Sequence, residues 1–141
     1  MENGAKTFED IRIGDPLGPR REFISKDQNR AFAMACGLNA PRFIDDAGAR
    51  AEGLPGAILP GNFSLGLLTR LVTDWLGSCG ARLTRIGTTY RQIVQPDHEL
   101  TVQGFVTHTR EEDRTVELDI WLENEDAERL VIGTATVKFP D

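Results

Sequence analysis

Between Asn62 and Gly77 the chain places Phe63, Leu67, Leu68, Leu71, Val72 and Trp75 at three- and four-residue spacing, the period of one helix face. Only Ser64, Thr69, Arg70, Thr73 and Asp74 interrupt the apolar run. A helix this apolar predicts deep burial. Asn62 is suited to cap its start and Gly77 to end it. The second half changes period. Arg82 to Val94, Glu99 to Thr109, Thr115 to Glu123 and Arg129 to Phe139 are rich in Val, Ile, Thr and aromatics and predict four strands. The third is the cleanest: Val116, Leu118, Ile120 and Leu122 alternate with Glu117, Asp119, Trp121 and Glu123, one face inward and one outward. Gln95 to His98 joins the first two strands, and Asn124 to Glu128 is a hairpin-length link between the last two.

The first half is more broken. Thr7 to Ile13 alternates weakly as a short strand and ends at a Gly14-Asp15-Pro16 turn. Arg21 to Ile24 reads as another short strand. Ser25-Lys26-Asp27-Gln28 has the form of a capping box and opens a helix to about Cys36. Phe32 and Ala35 lie on one side of it, and Gly37 stops it. A short helix is expected from Asp45 to Ala51. Gly53, Pro55, Gly56, Pro60 and Gly61 then keep the chain irregular. There is no internal repeat and no linker. A long buried helix followed by a four-strand antiparallel meander is an α+β arrangement, a sheet curled around a central helix. One domain over residues 1–141 is expected.

The net charge of −6 argues against nucleic acid or an anionic membrane as a general partner. No apolar run approaches the roughly 18–20 residues of a membrane span. Met1 to Asp10 is polar and mixed in charge, without the apolar core of a signal peptide. A soluble, cytoplasmic protein is the expectation, with Cys36 and Cys79 as reduced thiols. Neither cysteine has metal-type spacing to His98 or His108, so no metal and no cofactor are expected.

Several segments, in order, resemble the MaoC-like hydratases, whose fold is the hotdog. Phe8-Glu9-Asp10-Ile11-x-Ile13-Gly14-Asp15 resembles that family's opening, and Pro60-Gly61-Asn62-Phe63-Ser64-Leu65-Gly66-Leu67-Leu68 resembles its central helix start. Val94 to Val106 resembles its turn-then-strand element. Leu71-Val72-Thr73-Asp74-Trp75-Leu76-Gly77 is similar to hydratase subunits that act on steroid side-chain CoA thioesters. The resemblance implies a dimer, with the site near the subunit interface. It also implies hydration of a trans-enoyl thioester, or the reverse dehydration, by an Asp/His pair in a loop reading roughly Asp-x-Asn-Pro-x-His-x-Asp. Placing Pro41 and Asp45 on that motif puts Leu38 at the Asp position and Phe43 at the His position. Pro60 stands where a histidine usually precedes the glycine. Gly61 matches the glycine whose amide polarises the thioester carbonyl. General acid/base help is worth roughly 10²–10⁴-fold, so its loss leaves little unaided activity.

Three functions stay open. The first is an acyl-thioester-binding chain without the dyad, noncatalytic or dependent on a second hotdog subunit. The second is an active hydratase or dehydratase on a bulky substrate, with Asp45, Asp46 or Asn62 as relocated catalytic groups. The third is a hotdog thioesterase using Asp74. Candidate substrate-binding residues are Asn39, Phe43, Pro60, Gly61, Asn62, Ser64 and Arg91. For each of Arg70, Arg82, Arg85 and Arg91, CoA phosphate contact competes with simple surface pairing. Capping competes with catalysis at Asp45, Asp46 and Asn62. Asn39 is also a natural turn residue, and Phe43 a natural packing residue. His98 and His108 read as a solvated turn residue and a structural one. Partners are an acyl-CoA or acyl-carrier thioester and a second hotdog chain, as homodimer or heteromer.

Overall fold

The computed structural model describes residues 6–141; the first five residues of the polar N-terminal segment lie outside the described residues. Phe8 and Ile11 are both buried, at 7% and 5% exposure. Their three-residue spacing belongs to a turn rather than a strand, and Phe8–Asp10 forms a 3-10 turn. The weak alternation from Thr7 to Ile13 is therefore not a strand. The first strand, β1 (Pro16–Phe23), begins later and is longer than Arg21 to Ile24 suggested. Its two prolines disguised it. A sheet edge tolerates residues without an N–H, and β1 is an edge strand with an irregularity between Leu17 and Arg20.

The capping box forms as expected. Ser25 accepts from the Gln28 amide, and the Gln28 side chain accepts from the Ser25 amide, opening α1 (Lys26–Ala35). Gly37 follows with φ +74°, a left-handed conformation that glycine takes without a Cβ penalty. Two short helices come next, α2 (Pro41–Ile44) and α3 (Asp46–Ala51). α2 was not predicted; proline at its first position presets the backbone. Asp45 caps α3 through a 2.5 Å bond from the Gly48 amide. Asp46 accepts from the Ala57 amide at 2.9 Å and from Lys26 Nζ at 2.7 Å. Asp46 thereby latches α3 to the following loop and to α1.

The long helix α4 (Gly61–Leu76) occupies nearly the predicted span. Its start differs: Pro60 is the N-cap, no side chain caps the helix, and Asn62 lies inside the first turn. Leu67, Leu68, Leu71, Val72 and Leu76 are each at most 5% exposed. They pack in one cluster with Leu100, Val102, Val106, Leu118, Leu122 and Val137 of the sheet. Each such side chain stabilises the fold by about 1.5–3 kcal/mol when fully buried. At the far end of α4, Glu22 of β1 accepts from Arg20 Nε at 3.0 Å and from Arg70 at 2.5 Å, and Arg20 also pairs with Asp74.

The remaining strands are β2 (Arg82–Tyr90), β3 (Glu99–Arg110), β4 (Thr115–Glu123) and β5 (Arg129–Lys138). The sheet order is β1-β3-β4-β5-β2, antiparallel throughout. The expected four-strand meander is thus a three-strand one, with β2 displaced to the far edge against β5 (Tyr90↔Val131). Gln95 to His98 is not a hairpin but part of a crossing segment. That segment is held by Leu59 N–H to Val94 O at 2.8 Å and Asp97 N–H to Ile24 O at 2.7 Å. The β4 alternation holds, with one exception on the outer face. Trp121 is only 9% exposed, because the Arg129 guanidinium lies 3.8 Å from its ring centroid and Phe105 meets its edge.

Close strand approach fixes two strand glycines, Gly104 and Gly133. A Cβ on Gly104 would lie 2.2 Å from the Asp119 carbonyl oxygen. Gly104→Ala is expected to destabilise by about 1–3 kcal/mol or more, since backbone on both sides must move. An unchanged melting temperature would sink that argument. The Asp46 carboxyl is held below the usual carboxylate range, first by the Ala57 amide and then by Lys26. Its stabilisation is present above about pH 4 and is lost as the pH falls through its lowered value. Melting curves of the wild type and Asp46→Asn are therefore expected to converge as the pH falls below about 4. A gap constant with pH would show that the latch does not depend on charge.

Candidate functional site

The first turn of α4, the α2 helix, the Ile58-Leu59 loop and the Tyr90-to-Val94 segment enclose a cavity of about 450 Å³. Its walls are mainly apolar: Phe43, Ile58, Leu59, Ile93 and Val94. The strand predicted to run to Val94 ends at Tyr90, which frees residues 91–94 to form one wall. The α4 start lacks a side-chain cap; the Phe63 amide bonds the Pro60 carbonyl at 3.0 Å, while the Gly61 and Asn62 amides have no partner among the described residues, which leaves the positive end of the helix at this space.

Gly61 is the first residue of α4 and lines the cavity. Its reason for being glycine is Tyr90. A Cβ there would lie 3.0 Å from Tyr90 Cζ, and the Tyr90 hydroxyl donates to the Gly61 carbonyl at 2.9 Å. One helical turn inward, Ser64 also lines the cavity. Ser64 is 1% exposed and its Oγ has no hydrogen-bond partner among the described residues. Two arginines line the cavity. Arg42 Nε binds Glu52 at 2.8 Å, while Arg91 has no carboxylate partner among the described residues.

Beneath the site, Asn29 of α1 is fully buried. Its Nδ2 donates to the carbonyls of Ile58 at 2.9 Å and Phe43 at 3.3 Å, tying two cavity walls together. Two acceptors on one amide fix its orientation, and Oδ1 is left unpaired. The sequence carried a faint signal for this residue: a polar side chain one turn before the buried Ala33.

Of the predicted binding residues, the structure brings together Phe43, Gly61, Ser64 and Arg91. Asn39 is exposed, and neither Asn39, Pro60 nor Asn62 lines the cavity. Leu38, at the Asp position of the resemblance, is half-buried outside it. Asp45 and Asp46 do not line it either; their carboxylates serve the α3 cap and the α3 latch. Asp74 pairs with Arg20 near the opposite end of α4. Arg70 pairs with Glu22, and His98 with Glu125 at 2.9 Å. Arg82, Arg85 and His108 are exposed strand residues.

The lining can polarise a carbonyl at the helix start, accept or donate one hydrogen bond at Ser64, and attract an anion through Arg91. Among the described residues it contains no carboxylate, imidazole or thiol. Among the described residues no group of three His, Cys, Asp or Glu side chains could hold a metal ion, and no helix is long and apolar enough to cross a membrane.

No curated protein matches the chain. Three solved structures show the same fold. The (R)-hydratase from A. caviae involved in PHA biosynthesis superposes with a TM-score of 0.85 at 21% identity, over 94% of this chain and 99% of that one. A chain of the ChsH1-ChsH2 complex from Mycobacterium tuberculosis gives 0.82 at 21% identity, over 92% and 98%. A chain of the HadBC (3R-hydroxyacyl-ACP dehydratase) complex from Mycobacterium tuberculosis gives 0.72 at 17% identity, over 89% and 96%. At such identities the likeness speaks for the hotdog fold. The family model of the MaoC like domain matches residues 9–126, and with that match the chain belongs to the MaoC-like hydratase/dehydratase family.

Proposed function

We propose that this chain binds an acyl thioester, in the form of an acyl-CoA, as a noncatalytic or partner-dependent subunit of a hydratase or dehydratase. The observation that carries the reading is the composition of the cavity: apolar walls, an uncapped helix start and Arg91, without a carboxylate or imidazole among the described residues of the lining. Such a pocket holds an acyl chain and polarises its carbonyl. It lacks the base that would activate water and the acid that would protonate the α-carbon. A second hotdog chain with an intact Asp/His pair supplies both.

The topology supports an assembly of that kind. Among the described residues β2 pairs only with β5, so its other edge offers unpaired backbone donors and acceptors to another strand. The opposite edge, β1, carries Pro16, Pro19 and a register irregularity and is poorly suited to pairing. The complexes named above, ChsH1-ChsH2 and HadBC, are heteromeric assemblies of this fold. Phe43, in place of an imidazole, adds apolar wall suited to a bulky acyl group.

The purified chain alone is expected to leave the absorbance of short, long and ring-bearing enoyl-CoAs unchanged, while binding acyl-CoA by calorimetry. Turnover without a partner would overturn the partner-dependent reading. Gly61→Ala, which drives a methyl group into the Tyr90 ring at the cavity wall, is expected to weaken acyl-CoA binding roughly tenfold. Equal affinity in the variant would remove Gly61 from the site.

A further inference from the structure

Among the described residues, Ser64 carries the cavity's one buried and unsatisfied side-chain group. A hydroxyl buried without a partner is costly, and most buried polar atoms in folded proteins are paired. On a helix, serine can relieve itself by bonding the carbonyl four residues back, as Thr69 does to Leu65 at 2.8 Å. Ser64 makes no such bond among the described residues; its Oγ has almost no accessible surface, and a turn of the side chain about χ1 would bring it to a ligand in the cavity that the residue lines. The surrounding Phe43, Ile58, Leu59 and Val94 side chains offer it nothing.

The position of Ser64 says where on a ligand its partner must be. Three residues separate it from Gly61, a rise of about 4.5 Å along the helix, on the same face. A thioester carbonyl resting on the first amides of α4 would direct its acyl chain inward past Ser64. The distance suits a substituent on the β-carbon. We infer that Ser64 Oγ hydrogen-bonds the β-hydroxyl of a 3-hydroxyacyl thioester, so that the cavity selects the hydrated form of the acyl group over the saturated and enoyl forms. This rests on the acyl-thioester reading above and adds the oxidation and hydration state of the acyl chain. The role is one of binding; no proton moves to or from Ser64.

Calorimetry would compare 3-hydroxyacyl-CoA, enoyl-CoA and saturated acyl-CoA of equal chain length, with wild type and with Ser64→Ala. Wild type is expected to bind the hydroxyacyl form roughly ten- to hundredfold more tightly than the saturated form. In Ser64→Ala the ratio is expected to fall to about one. A melting curve of the ligand-free variant provides an independent reading. Removing an unsatisfied buried hydroxyl is expected to raise its melting temperature; a lowered one would mean the hydroxyl is already paired and would overturn the inference. Equal binding of all three thioesters by wild type, or a preference that survives in Ser64→Ala, would also overturn it while leaving the acyl-thioester reading standing. Failure of every thioester to bind would bring down that reading itself.

Discussion

Leu67, Leu68, Leu71, Val72 and Leu76 can leave water only if something apolar closes around α4, and one flat sheet face cannot do so. The sheet must bend around the helix. Gly104 permits the closest strand approach: where any Cβ would strike the Asp119 carbonyl, the chain has none. Hydrophobic burial thus fixes the helix in place, and the close strand packing follows from it. The cavity is a by-product of the same constraint, lying where the first turn of α4 meets the crossing segment and the small helices.

The elements with a clean period were legible. The alternation from Val116 to Leu122 and the three- and four-residue spacing from Phe63 to Trp75 each describe one buried face, and burial is what imposes periodicity. Elements governed by other physics were not. β1 hid behind Pro16 and Pro19, because an edge strand can dispense with N–H groups that a central one needs. The place of β2 beyond β5 is a matter of long-range pairing, and no local pattern encodes it. Trp121 escaped the in-out rule because Arg129, eight residues away in sequence, covers it.

The site shows a similar division. Gly61, Ser64 and Phe43 were named from motif segments and Arg91 from the arginines along one strand, and the structure places all four on one cavity. Asp45 and Asp46 looked chemically able, but a carboxylate beside a helix start has structural uses that sequence cannot separate from catalytic ones. Here Gly48, Ala57 and Lys26 occupy them. Asn29 lies outside every motif; only the fold shows that its amide joins the Phe43 and Ile58 carbonyls. Tyr90 read only as part of the strand from Arg82 to Val94, and its partner Gly61 is 29 residues away.

Tyr90 ends the edge strand β2 and rests its hydroxyl on the first residue of α4. The strand edge and the cavity mouth are therefore one mechanical unit, joined by a ring and a single hydrogen bond. A neighbour that orders β2 also orders the cavity mouth. Because linkage is reciprocal, a ligand that settles against Tyr90 strengthens the hold of that neighbour by the same free energy. Under the proposed function, occupancy and assembly would share a residue, so affinity for a small molecule would also measure the company the protein keeps.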